Sequence, residues 1–80
     1  MANVLLIGGR APASLELARV FQAAGHTVFM AESLAWHLTR PSRAVARSYR
    51  VPPPRQAPAR YVTALARIVE RERIALLVPT

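Results

Sequence analysis

The fold is decided by residues Asn3 to Ala18, NVLLIGGRAPASLELA. The almost continuous aliphatic run from Asn3 to Ile7 predicts a strand that is buried on both faces, as strands are at the centre of a parallel sheet. Gly8-Gly9-Arg10 then predicts a turn that leads directly into an amphipathic helix. Corners of this kind are where open α/β domains place their ligands.

The first helix is expected to begin near Ala13 or Ser14 and to end at Gly25, where a residue without a β-carbon most easily adopts a left-handed cap. Glu16 and Arg19 form a solvated pair at i and i+3. The buried stripe is predicted from apolar residues at i, i+3, i+4 and i+7, which are Leu17, Val20, Phe21 and Ala24.

Two further strands and a loop are expected in the middle of the chain. Val28 to Met30 predicts the second strand, whose end carries Glu32 and Ser33. Residues 34–48 are irregular and predict a loop with a short helix. Tyr49 to Val51 predicts a brief third strand, which the three prolines 52–54 end because they lack backbone donors.

The last elements are a second helix and a fourth strand. The helix is expected to start near Pro58 and to reach about Glu72, with a solvated tail. Ile74 to Val78 predicts a buried strand. The helix's buried stripe is predicted to contain Val62, Leu65, Ala66 and Val69.

This order of elements predicts an α/β fold: a half-Rossmann domain with a four-stranded parallel sheet in the order 3-2-1-4 and helices on both faces. We expect residues 1–80 to form one domain. The chain stops at Thr80, directly after a strand and where a helix is expected, so we expect it to be truncated at its C-terminal edge. Two helices do not cover both faces of such a sheet, so apolar surface should remain exposed and favour a homo-oligomer.

Composition narrows the class of protein. Hydrophobic residues make up 52% of the chain, which is enough for a core. There is no cysteine, and two isolated histidines do not complete a metal site, so we expect no metal ligand here. His26 and His37 lack nucleophile partners and are expected to be structural. No apolar run approaches the roughly 20 residues of a membrane helix, and the apolar start from Val4 to Ile7 lacks the basic flank and the length of a signal peptide, so we expect a cytoplasmic protein.

The net charge is +7, and all 11 cationic residues are arginine. One interpretation is attraction to phosphate-rich partners. The other is compositional bias with solvated arginines, which we prefer because the arginines are scattered along the sequence. Trp36 and Tyr49 allow base stacking or, as we prefer, packing of the loop on the sheet. Nucleic acid is therefore not the expected partner.

The glycine turn matches neither common nucleotide motif. Counting from Gly8, the third and sixth positions of a dinucleotide fingerprint hold Arg10 and Ala13, and a chain without lysine cannot contain a phosphate loop. Gly8, Gly9 and Arg10 either hold a small anion or merely make a tight turn. Glu32 lies about where a Rossmann domain offers an acid to a ribose hydroxyl, but because the glycine pattern fails we expect a solvated loop carboxylate.

A resemblance to a known family covers nearly the whole chain. It is carried by VLLIGGRAPASLELARVFQAAGHTVFMAES, the segment from Trp36 to Arg43, YRVPPPR and RIALLVPT. Together these resemble the N-terminal, pre-ATP-grasp domain of ATP-grasp, carbamoyl-phosphate-synthase-like proteins. Relatives more often carry aspartate at the position of Glu32.

The resemblance implies a domain that supplies the substrate side of a ligase and is not catalytic alone. It implies ligand contacts at the strand ends, and these fall on Gly8, Gly9, Arg10, Glu32, Ser33 and Thr80. ATP and magnesium would belong to an ATP-grasp domain, which is the implied partner and is absent here. The alternatives are an NAD(P)-type Rossmann fragment that uses Gly8, Gly9 and Glu32, and an arginine-rich nucleic-acid-binding module.

Overall fold

The computed structural model describes residues 1–8, 12–33 and 43–79, with the side chains of residues 12 and 13 excepted. In chain order the elements are β1 (Asn3–Ile7), α1 (Pro12–Ala23), β2 (Thr27–Glu32), β3 (Arg47–Arg50), α2 (Pro58–Arg71) and β4 (Leu76–Pro79). Within these residues the strands form one four-stranded sheet in the order β3-β2-β1-β4, and all neighbours are parallel. The predicted α/β class and strand order are confirmed.

Alternation along the two central strands builds a core on each side of the sheet. In β1, Val4 and Leu6 face one side and Leu5 faces the other, because successive side chains of a strand point in opposite directions. The first side packs against α1 through Ala18, and the second packs against α2 through Ile68. All five residues are buried. The two helices therefore cover opposite faces, as predicted.

Strand order explains this arrangement of the helices. The chain steps from β1 to β2 in one direction along the sheet and from β3 to β4 in the other. Two crossovers of the same hand that run in opposite directions place their helices on opposite faces. The carboxyl ends of the parallel strands consequently share one edge, and the start of α2 follows β3 at that edge.

The buried stripe of α1 differs from the prediction. Ser14 and Ala18 are fully buried and Leu17 and Phe21 are partly buried, whereas Val20 is 62% exposed. Ala24 is exposed and lies beyond the end of the helix. The stripe starts at Ser14, which an apolar pattern overlooks because the residue is polar. Its burial is possible because its hydroxyl donates a hydrogen bond to Gly8 O.

The buried stripe of α2 is also displaced by about one residue. Ile68 is buried, and Tyr61 and Ala64 pack beside it with Leu65 and Val69. Val62 is 62% exposed and Ala66 is exposed, so these two predicted positions are wrong. Tyr61 shifts the stripe because its ring packs on the core while its hydroxyl remains available to polar groups.

The fourth strand was expected to be buried, and it is not. β4 pairs with β1 on one side only among the described strands, and Leu76 and Leu77 are 46% and 40% exposed. The order 3-2-1-4 itself makes this strand an edge.

Gly25 has φ of +91° and donates its N–H to Gln22 O, which confirms the predicted helix end.

Candidate functional site

The turn after β1 is held by Gly8 and Ser14. Gly8 has φ of +85°, a backbone conformation that residues with a side chain rarely adopt, and its N–H donates to Ala31 O at 3.0 Å. The buried Ser14 hydroxyl donates to Gly8 O at 2.7 Å and so fixes the first turn of α1 against the strand end. Gly8 thus makes the tight turn beside β2. Gly9, Arg10 and Thr80 lie outside the described residues.

Glu32 is a buried carboxylate and not a solvated loop residue. It is only 5% exposed, at the last position of β2, where Val51 follows the neighbouring strand and is itself buried. Its Oε1 accepts hydrogen bonds from Ser33 N at 2.7 Å and Ser33 Oγ at 3.2 Å. The sequence expectation of a solvated carboxylate is therefore wrong, because this residue is the last of a central strand, beside the buried Val51, whose N–H donates to Glu32 O at 3.0 Å.

Tyr61 of α2 lies close enough to sense the charge of Glu32. Burial raises the pKa of Tyr61 above its ordinary value, and the negative charge of Glu32 raises this pKa further. The tyrosine therefore stays protonated and can donate its hydroxyl hydrogen. Charged carboxylates are expensive to bury without hydrogen bonds, and Ser33 supplies two of them to Glu32.

These groups line a cavity of about 500 Å³ at the carboxyl edge of the sheet. This volume is within the roughly 300–1,000 Å³ range of small-molecule sites. Strand ends form one wall through Gly8, Glu32 and Ser33. The opposite wall comes from the proline segment and α2, with Pro53, Pro54, Arg55, Gln56 and Tyr61.

A second cavity of about 560 Å³ adjoins the first. The two share Ser33, Val51, Pro53 and Gln56 as lining residues. The second cavity adds two cationic side chains, Arg50 at the end of β3 and Arg60 in the first turn of α2. The first cavity thus contains the Glu32 carboxylate and the Arg55 guanidinium, and the second contains guanidinium groups without a carboxylate among its described lining residues.

The arginines at this edge are grouped in space, although they are scattered in sequence. Arg50, Arg55 and Arg60 all line the two adjoining cavities. Among the described residues, none of these three has a carboxylate within ion-pair distance. The first turn of α2 contains no acidic residue, and its N-cap Ala57 supplies no side-chain hydrogen bond. The charged side chains among the described residues that line the second cavity are accordingly all positive.

Polar residues at the amino edge of the sheet serve structure. The Glu72 carboxylate accepts a hydrogen bond from the Tyr49 hydroxyl and lies 3.5 Å from the Arg47 guanidinium. Asn3 Nδ2 donates to Glu72 O. Glu72 is thus tied to β1 and β3, so the expectation that it belongs to a solvated tail is wrong. Tyr49 packs against the core, as was preferred from the sequence.

His26 is also structural, as predicted. Its Nδ1 accepts the Ala2 N–H at 3.0 Å, and its ring packs edge-on against Phe21. His37 and Trp36 lie outside the described residues. No group of three or more metal-ligating side chains is found in the part of the chain that the structure describes.

Three of the predicted ligand residues are brought together at one edge: Gly8, Glu32 and Ser33 all line the first cavity. Arg55, Gln56 and Tyr61 are not among the residues that the sequence predicts. Strand order carries the signal that would have found them, because the end of β3 and the start of α2 must meet the ends of β1 and β2 at that edge.

Neither α1 nor α2, within the described residues, has the length and apolar character needed to cross a membrane. A scan against protein-family models found no match, and a search of curated proteins found none either.

Proposed function

We propose that the chain is the substrate-side binding domain of an ATP-grasp ligase-type enzyme of the carbamoyl-phosphate-synthase-like kind, acting in the cytoplasm. The observation that carries the proposal is the buried Glu32 carboxylate, which lines a cavity of ligand size at the carboxyl edge of a parallel sheet. In this proposal the chain is not catalytic alone. ATP and magnesium belong to a partner ATP-grasp domain, and this chain binds and orients the acceptor substrate.

The chemistry of the first cavity supports an acceptor that carries both a hydrogen-bond donor and an acid group. Glu32 and Ser33 face a ligand amine or hydroxyl, since the carboxylate accepts hydrogen bonds. Arg55 lines the same cavity and is complementary to a ligand carboxylate or phosphate. Small amino acids and hydroxy acids have this combination of groups.

The proposal is tested by thermal unfolding of the chain with a panel of small amino and hydroxy acids. We expect stabilisation by at least one of them, since a ligand at about 100 times its Kd stabilises a protein by about 2.7 kcal/mol. The shift should disappear in Glu32→Gln. It should persist in the matched control Glu16→Gln, which removes an exposed carboxylate on α1. Absence of any shift, or an equal shift in Glu32→Gln, contradicts the proposal.

A second candidate function, binding of NAD(P), is favoured by the same carboxylate. Glu32 ends the strand next to β1, where dinucleotide-binding domains place the acid that binds a ribose hydroxyl. Against it, the glycine spacing after β1 departs from the dinucleotide fingerprint. Titration with NAD(P) in a calorimeter separates the two candidates. Only the NAD(P)-binding candidate predicts heat of binding in this titration, and it predicts that the heat is lost in Glu32→Gln.

A further inference from the structure

Two arginines from different elements line the second cavity. Arg50 is the last residue of β3, and Arg60 is the third residue of α2. Gln56 and Ser33 add an amide and a hydroxyl to the same lining. All of these side chains are hydrogen-bond donors, and a guanidinium group is a donor only.

No carboxylate of the described residues balances this pair of charges. Glu32 lines the first cavity and is not among the residues that line the second. Arg47 shows the contrast, because its guanidinium lies 3.5 Å from the Glu72 carboxylate. An anion bound in this cavity would therefore meet two positive charges and no carboxylate of the lining, which favours its binding.

We propose that the second cavity is an oxyanion subsite, and that it holds a phosphate group of the same ligand whose donor group reaches Glu32. This inference rests on the proposed function and names the substrate class: a phosphorylated amine or hydroxy compound. Guanidinium groups bind the oxygens of phosphate through paired N–H donors, which suits a site with two arginines. Ser33 and Gln56 line both cavities, so one ligand can extend from the first into the second.

The test is calorimetric titration of the chain with inorganic pyrophosphate at low ionic strength, with malonate as the carboxylate arm. We expect pyrophosphate to bind, and Arg50→Gln and Arg60→Gln each to raise its Kd by about tenfold, as is typical for loss of a charge-assisted hydrogen bond. The matched control Arg19→Gln removes the same charge from an exposed position on α1, across the sheet. It should change the Kd by less than about twofold.

Further arms separate the possible outcomes. Equal weakening by all three arginine variants indicates general charge attraction and overturns the subsite. Malonate that binds as tightly as pyrophosphate overturns the assignment to phosphate. Arg60→Lys keeps the charge but loses the planar pair of donors, and it should restore only part of the affinity. Circular dichroism of each variant confirms that the fold is retained, as expected for exposed side chains.

Glu32→Gln distinguishes this inference from the proposed function. Glu32 does not line the second cavity, so its substitution should not weaken pyrophosphate binding. If pyrophosphate binds as expected while no amino or hydroxy acid stabilises the chain, the oxyanion subsite stands, whereas the acceptor-binding proposal and the assignment of both cavities to one ligand fail. If the acids bind and pyrophosphate does not, the subsite alone is overturned.

Discussion

Glu32 and Tyr61 each contribute both to the packing of the protein and to the chemistry of the first cavity. The carboxylate is buried at the end of β2 and is held by Ser33, and its charge acts on the pKa of the tyrosine across the cavity. Both groups belong to the lining of the first cavity. A ligand entering there meets a carboxylate that accepts hydrogen bonds and a phenol that donates one.

The raised pKa of Tyr61 predicts a loss of stability at high pH. The unfolded phenol ionises near pH 10, about its usual value, whereas the folded protein holds the proton to higher pH. The folded state then binds more protons, so the free energy of unfolding falls as the pH rises from about 10 through the folded pKa. Urea unfolding of the wild type between pH 8 and pH 11 should show this decline.

Tyr61→Phe provides the control for that decline. The variant has no phenol to ionise, so its free energy of unfolding should fall less over the same pH interval than that of the wild type. The remaining titratable groups are common to both proteins and cancel in the comparison. Identical pH profiles for the two proteins would show that Tyr61 does not contribute.

At the scale of elements, strands and their order follow from the sequence, while the exact faces of the helices do not. Continuous apolar runs predict β1 and β2 because both faces of a central strand are buried. In α2, however, two overlapping stripes satisfy the same helical periodicity, one through Val62 and one through Ile68. The tertiary contact with the sheet selects the second stripe.

Paired substitutions in α2 test which stripe is buried. Ile68 is 5% exposed, so Ile68→Ala should lower the free energy of unfolding by about 2–4 kcal/mol through lost burial and a cavity. Val62 is 62% exposed, and Val62→Ala should change it by less than about 0.5 kcal/mol. Denaturant unfolding measures both. If Ile68→Ala fails to fold, Ile68→Val should still cost about 1 kcal/mol. Equal effects at the two positions contradict the observed packing.

The candidate site shows the same division between what sequence predicts and what only the fold supplies. Gly8, Glu32 and Ser33 are predictable because each follows or ends a strand at the carboxyl edge. Arg50, Arg55 and Arg60 are not predicted as site residues: strand order brings the end of β3 and the start of α2 to this edge, but prolines 52–54, between Arg50 and Arg55, give no periodic signal that states where the chain turns. Their grouping depends on where the proline segment returns α2 to the sheet.

At the scale of the whole molecule, apolar surface remains uncovered along the edge strand β4. Leu76 and Leu77 point to opposite sides of the sheet, since they are consecutive in a strand, and both are substantially exposed. Edge strands also present unpaired backbone groups to other chains. Leu76 and Leu77 are part of the exposed apolar surface that the sequence predicts, and we predict that a second copy pairs at β4.

Sedimentation velocity tests this expectation. The wild type should form species larger than a monomer as its concentration rises, because association buries the exposed leucines. The double variant Leu76→Ser/Leu77→Ser should shift the distribution toward the monomer. Val20→Ser, which removes another exposed apolar side chain from α1, should leave the distribution unchanged. A wild type that sediments as a clean monomer at high concentration contradicts the prediction.

The alternation of β1 between two cores also constrains how the chain can vary in length. Gain or loss of one amino acid between Val4 and Leu6 would turn every following side chain of the strand to the opposite face of the sheet. Side chains that now pack against α1 would face α2, and the reverse. Both layers would be disrupted by a single such event. Insertions and deletions that preserve the protein should therefore be confined to the connections, and the spacing from Asn3 to Gly8 should stay constant wherever this domain occurs.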